Sequence, residues 1–234
     1  MESEANPCFL TPEKLVVTFY EVGFCTSDPL SSGVFDNSTC STSWTNSSGV
    51  AVDIGLKSFQ KMEGKNYKIP NATYPYTYAI MNNGWTYKAK YKVNGGLDGN
   101  SATSDDDTFY TASDGSVTTS SSEYSDWIDD ISALQGEETT DLCYDYESST
   151  SLGTVKAILA NSSNVRANNT SECEASTRVI GSIGLNTSIV MDDSVKSYRL
   201  TWQITNMGVG TSHFGGMPSG WRGGPFVPKF EFIK

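Results

Sequence analysis

Asp98, Asn100, Asp105, Asp106 and Asp107 crowd oxygen-bearing side chains into one short stretch. Hard oxygen ligands gathered in a loop suit Ca2+, so this is the chain's candidate calcium site. The EF-hand spacing is absent, and the Gly95-Gly96-Leu97-Asp98 turn does not recur, so a solvated acidic loop is the competing reading. The single histidine, His213, stands in Gly-Thr-Ser-His-Phe-Gly-Gly. A Ser–His–Asp or Cys–His arrangement would have to use it, yet nothing around Ser212 or the cysteines forms a nucleophile elbow. It reads as a loop histidine bonded to backbone, and a histidine-built transition-metal site is not expected. A glycosidase needs only two carboxylates at a fixed separation, which any acidic chain supplies by chance. No catalytic residue is assigned, and the chain is expected not to be an enzyme.

Cysteines stand at 8, 25, 40, 143 and 173, with no CxxC pair to suggest zinc or thioredoxin chemistry. In a reducing cytosol they read as small buried hydrophobes. Oxidation after release from the cell would instead pair nearest neighbours, Cys25 with Cys40 and Cys143 with Cys173. Trp221 and Arg222, in the glycine-rich 208–224 stretch, are candidates for an exposed protein contact, against the plainer reading of a flexible loop. Tyr74, Tyr76, Tyr78, Trp85 and Trp127 could form an aromatic platform for carbohydrate, or simply fill a sheet core. Sequons begin at Asn37, Asn46, Asn71, Asn161, Asn168, Asn169 and Asn186. The N-terminus, Met-Glu-Ser-Glu-Ala-Asn-Pro, has neither the basic nor the apolar region of a secretion signal, so cytoplasmic synthesis is expected and the sequons read as Asn/Ser/Thr abundance.

The elements that must position these residues are strands. Hydrophobic residues are only 37% of the 234, yet aromatics reach 12%, more than a disordered chain carries. Gly, Ser, Thr and Asn fill the deficit, which favours short strands and many loops. The net charge is −11, with 16 Lys and Arg against 27 carboxylates, which argues against nucleic acid and anionic membrane as partners. The β-branched and aromatic run Lys14–Val22 predicts a strand. The stretch 26–48 reads as a long loop, and the alternation of Val50, Val52, Ile54 and Leu56 as a half-buried strand. Residues 74–93 predict a hairpin turning at Asn83-Gly84, its second arm alternating apolar residues with Lys88, Lys90 and Lys92. Between Val93 and Val155 lie 14 of the 27 carboxylates and no basic residue. That region reads as an acidic insertion, about 94–150, with little regular structure and one short helix suggested by Trp127, Ile128, Ile131 and Leu134. Strands are predicted again at Thr154–Ala160, at Arg178–Met191 (two, divided near Gly184 or Asn186), at Tyr198–Ile204, and at the C-terminus as an edge. The expected fold is all-β: an antiparallel β-sandwich of jelly-roll or Greek-key type, with an arm at 1–12 and a single domain at 13–234.

Several phrases resemble known proteins. Leu15-Val-Val-Thr-Phe-Tyr-Glu-Val-Gly-Phe-Cys25-Thr-Ser-Asp-Pro29-Leu, then Ser-Thr-Cys40-Ser-Thr-Ser-Trp, resembles the opening of virion structural proteins of marine tailed bacteriophages. Tyr76-Thr-Tyr-Ala-Ile-Met-Asn-Asn, Trp202-Gln-Ile-Thr-Asn206 and the Phe-rich end are similar to them as well, so the resemblance covers most of the chain outside 94–150. It implies a particle-exterior component: a capsid decoration (cement) or head-fibre protein, or else a tail-associated receptor- or carbohydrate-binding adhesin. The implied location is the virion surface after assembly in the host cytoplasm. The implied partners are the major capsid protein or other virion proteins, with a homo-oligomeric state. The only residues it carries over are the recurrent Cys25/Cys40 pair of the opening phrase.

Overall fold

In Lys14–Cys25, Leu15, Val17 and Phe19 are fully buried and alternate with part-exposed neighbours, so one face of this strand lies in the core. The computed structural model describes residues 8–55, 59–92, 108–131, 146–214, 217–224 and 227–234. Its first strands are β1 (Cys8–Leu10), β2 (Lys14–Cys25), β3 (Cys40–Asp53), β4 (Lys65–Asn66), β5 (Ala72–Asn82) and β6 (Gly84–Lys88). Next come β7 (Lys90–Lys92), β8 (Thr108–Thr111), β9 (Val117–Thr118), a 3-10 turn at Ser121–Glu123, β10 (Trp127–Asp130), β11 (Tyr146–Thr150) and β12 (Gly153–Ala160). After α1 (Thr170–Glu174) follow β13 (Arg178–Met191), β14 (Ser197–Gln203), β15 (Val209–Phe214), β16 (Met217–Gly223) and β17 (Val227–Ile233).

A nine-stranded sheet in the order β10-β6-β2-β5-β13-β12-β11 forms the centre, with β3 on β2 and β4 on β3. Smaller sheets are β1-β15-β16, β14-β17 and β7-β8-β9. Every ladder is antiparallel, so the expected all-β class is the one observed. On one face of the central sheet, Leu15, Val17, Phe19, Trp85, Tyr87 and Leu159 pack with Val209 and Trp221 and with Leu200, Trp202 and Phe230 of the smaller sheets. On the other face, Tyr78, Ile80, Ile158 and Ile180 are met by Leu30 and Phe35 from the segment after β2. Both faces are therefore covered, which explains why β12 ends in four consecutive buried residues.

The structure corrects several local expectations. The chain does not turn at Asn83-Gly84. Instead β6 pairs with Lys14–Val16 and β5 with Phe19–Cys25, both along the same edge of β2, so β5 and β6 form one long interrupted strand. Neither Asn83 nor Gly84 has the positive φ that a tight hairpin requires. Asn83 is buried, and its Nδ2 donates to Asp130 Oδ1 and to the Ser176 carbonyl, both at 2.8 Å. It tethers the chain where a turn was expected. The helical spacing at 127–134 is overturned too, since Trp127–Asp130 is strand β10, paired with β6. Ile128 is 64% exposed there, while the Trp127 ring lies 5.5 Å from that of Tyr87, so the period-two face is the one that packs. The expected loop at 26–48 ends at Cys40, where β3 begins. The division within 178–191 is a bulge between Gly184 and Ile189 in a single strand. The N-terminal stretch contributes Cys8–Leu10 to the sheet beside β15.

The described part of the acidic region is more regular than its composition suggested. Asp129 shows what holds it: Oδ2 accepts the Gly223 N–H at 3.1 Å, linking β10 to β16. Burial pushes the Asp129 carboxyl above its ordinary value; the bond from Gly223 opposes this and the neighbouring Asp130 charge adds to it. Beside it, burial first and Asp129 second push the Tyr87 phenol up. For an acid whose folded pKa is raised, ionisation opposes folding. The penalty is complete above the folded pKa and disappears as pH falls through it toward the unfolded value. Asp129→Asn, which keeps an acceptor for Gly223, should therefore raise the melting temperature at pH 7 and 8. That gain should shrink steadily in melts taken down to pH 4, and a gain independent of pH would refute this account.

Candidate functional site

The residues singled out by sequence do not converge. The calcium candidates Asp98, Asn100, Asp105, Asp106 and Asp107 lie outside the described residues. Among the described residues, no group of three or more His, Cys, Asp or Glu could hold a metal ion. His213 falls in strand β15, opposite Pro218, where a loop histidine was expected. Trp221 is not an exposed anchor. It is 7% exposed, and its Nε1 donates to the Tyr110 carbonyl at 3.2 Å, fastening β16 to β8. Its neighbour Arg222 is half-buried in β16. The glycine-rich stretch expected as a flexible loop contributes the paired strands β15 and β16, and Val209, Gly210 and Thr211 of β15 are all buried. The aromatic platform dissolves as well, because Tyr74, Tyr78 and Trp85 are each 2% exposed and belong to the core.

Cys25 and Cys40 do come together. They are register partners at the end of the β2–β3 ladder and form a disulfide. Cys173 is disulfide-bonded too, while Cys143, its expected partner, lies outside the described residues. Cys8 is a free, exposed thiol.

The concave feature that sequence reasoning missed is a cleft of about 860 Å3 between β2–β3 and β14. Phe19, Val22, Trp44 and Val52 of the central sheet and Leu200 and Trp202 of β14 give it an apolar floor. Two contacts fix its back wall: the Phe19 and Trp202 rings at 6.0 Å, and the Tyr198 hydroxyl 2.6 Å from Ser43 Oγ, which itself donates to the Val22 carbonyl. Burial holds the Tyr198 phenol above its ordinary value. Among the described residues, Trp44 Nε1 has no hydrogen-bond partner, and it lies against Gly64, where no Cβ would fit. The chain matches no family model, no curated protein and no solved structure. The cleft must be read from its own chemistry.

Its rim is of a different character from its floor. Phe59 and Tyr67 are 66% and 41% exposed, and each carries a cation on its ring: the Arg199 guanidinium 4.3 Å from the Phe59 centroid, and Lys65 Nζ 4.7 Å from that of Tyr67. Lys61, Lys68 and Lys196 join Arg199 on the lining. The acidic groups there are largely committed. Asp53 Oδ1 accepts from the Leu15 and Gly55 amides, Asp192 Oδ1 from Ser194, and Asp193 pairs with Lys68 at 3.4 Å. The hydrogen bonds from Ser194 hold the Asp192 carboxyl below its ordinary value, so it stays ionised and occupied.

Proposed function

We propose that the chain is a non-enzymatic structural protein of a virion exterior, most simply a capsid decoration or head-fibre protein. The observation that carries this reading is spatial. The phrases resembling phage virion proteins are scattered through the sequence, yet they meet in one unit. The first gives β2 and the start of β3, joined by the Cys25–Cys40 disulfide, and the second gives β5, hydrogen-bonded to β2. Trp202 of the third packs on Phe19, and Phe230 and Phe232 of the C-terminal phrase pack on Phe24. A protein that shared these four phrases would share the strands of this core.

Two further features support the reading. The disulfides suit a protein that works outside a reducing cytoplasm, as a released particle does. The central sheet ends at β11, an exposed strand with no outer neighbour among the described residues, which offers an edge to the major capsid protein or to another copy. A tail-associated adhesin is the second reading, favoured by the open cleft beside β14. Mass spectrometry and immunogold labelling of gradient-purified particles should find the polypeptide among the structural proteins and on the outside. Its presence only in the soluble lysate would reject both placements.

A further inference from the structure

The chain carries −11 overall, yet Lys61, Lys68, Lys196 and Arg199 line this one concavity. These four cations face Asp53, Asp192 and Asp193 on the cleft lining; Lys61 pairs with Glu63 at 3.9 Å and Lys68 with Asp193 at 3.4 Å, which leaves Lys196 and Arg199. Among the described residues, neither Lys196 nor Arg199 pairs with a carboxylate, and both are exposed. In a protein so acidic, unpaired cations directed at a cleft mark a place where an anionic group is welcome. Beside them stand the Phe59 ring at the mouth and Trp202 on the floor, flat apolar surfaces next to charge. Ser197 and Asn66 on the lining add short hydrogen-bonding side chains. A volume of about 860 Å3 lies within the range of small-ligand sites.

We propose that this cleft binds a short acidic oligosaccharide, one whose sugar units bear carboxylate or sulfate. A pyranose ring has an apolar C–H face that lies on an aromatic ring and a polar edge for amides and hydroxyls. Its acidic substituent supplies the charge that Lys196 and Arg199 lack. Arg199, whose guanidinium lies 4.3 Å from the centroid of the exposed Phe59 ring, carries the planar fork that can take both oxygens of a carboxylate or sulfate at once. The assignment depends on neither placement in the particle, because it concerns the purified chain alone.

Trp44 and Trp202 line the cleft, so intrinsic fluorescence reports occupancy. The full chain would be titrated with tetragalacturonic acid and with a sulfated galactose tetrasaccharide. The controls are the methyl ester of the former, which is neutral, and tetraglutamate, which carries the charge without the sugar. Saturable binding of an acidic tetrasaccharide is expected, weakening as salt is added. The double variant Lys196→Gln/Arg199→Gln should weaken it tenfold or more, Phe59→Ala should also weaken it, and Lys90→Gln, in β7 and not on the cleft lining, should leave it unchanged. All four positions are exposed, and unchanged melting temperatures would confirm intact folds. No saturable binding of either acidic sugar would overturn the proposal. So would equal affinity for the methyl ester or for tetraglutamate, or a double variant that binds like the parent.

Discussion

Replacing Cys25 and Cys40 together by alanine should lower the melting temperature by about 5–15 °C. The disulfide closes a loop of 15 residues in sequence, for which chain entropy gives a stabilisation of about 3 kcal/mol, within a usual range of about 2–4. In a domain of this size, each kcal/mol is worth roughly 2–4 °C. The loop closed by the bond is also structural. Leu30, 4% exposed, and Phe35 come from it and cover Tyr78 and Ile80 on one face of the central sheet. An ion pair between Asp28 and Lys156 of β12, 2.9 Å long and partly buried, anchors the same loop at its other side. Without the disulfide, hydrogen exchange should therefore rise first at 26–39 and in the neighbouring end of β5. Because Cys173 is also oxidised, a reductant would act on more than one bond, and the double alanine variant is the cleaner test. A melting temperature within 2 °C of the parent would mean that packing alone fixes the β2–β3 end.

How much of this fold could be read in advance depended on whether a residue's partner was local. The alternation in Tyr198–Ile204 and the run at Lys14–Val22 are statements about one face of one strand, and both stand in the structure. So does the alternation after Gly84, where Trp85, Tyr87 and Ala89 are buried and the intervening positions face out. The turn before it failed because an Asn-Gly pair has the same local chemistry whether the asparagine bends the chain or reaches inward. The bonds of Asn83 to Asp130 and Ser176 come from partners 47 and 93 residues away. Trp127–Asp130 failed for a related reason, since its apolar residues fit a helix and a strand equally until β6 supplies the edge. The cleft was the least legible feature. Its lining comes from 19–22, 43–69 and 191–202, and no spacing within any one of these announces a concavity between them. Cysteine proximity, by contrast, survived as a guide, because two strands joined by one loop tend to pair where they meet it.

The ribbon of β14 and β17 poses the sharper energetic question, because it forms a two-stranded sheet with no backbone ladder to the central one among the described residues. Side chains alone must hold it, and Phe24 is the hub. That residue is 0% exposed, with the rings of Tyr198 and Phe230 each at 5.4 Å, Tyr74 at 6.1 Å and Phe232 at 6.2 Å. Truncating a buried phenylalanine to alanine costs about 3–5 kcal/mol, because the lost transfer energy is joined by an unfilled cavity. Edge-to-face ring pairs add about 0.5–1.5 kcal/mol each when they are lost. Phe24→Ala should therefore be the most damaging single change considered, and its effect should be uneven. Exchange protection should fall most in Ser197–Gln203 and Val227–Ile233 and at the Ile189–Met191 end of β13, which shares the Phe24 cluster, while β12, which contributes nothing to that cluster, keeps its protection up to global unfolding. Phe24→Leu, which restores most of the volume but not the ring geometry, should recover more than half of the loss. Since β14 is also one wall of the cleft, a loosened ribbon should leave Trp202 more accessible to an aqueous quencher even where the rest of the fold survives. Uniform loss of protection across all strands would show instead that ribbon and sheet unfold as one unit, held mainly by the Phe19–Trp202 and Ser43–Tyr198 contacts on the cleft side.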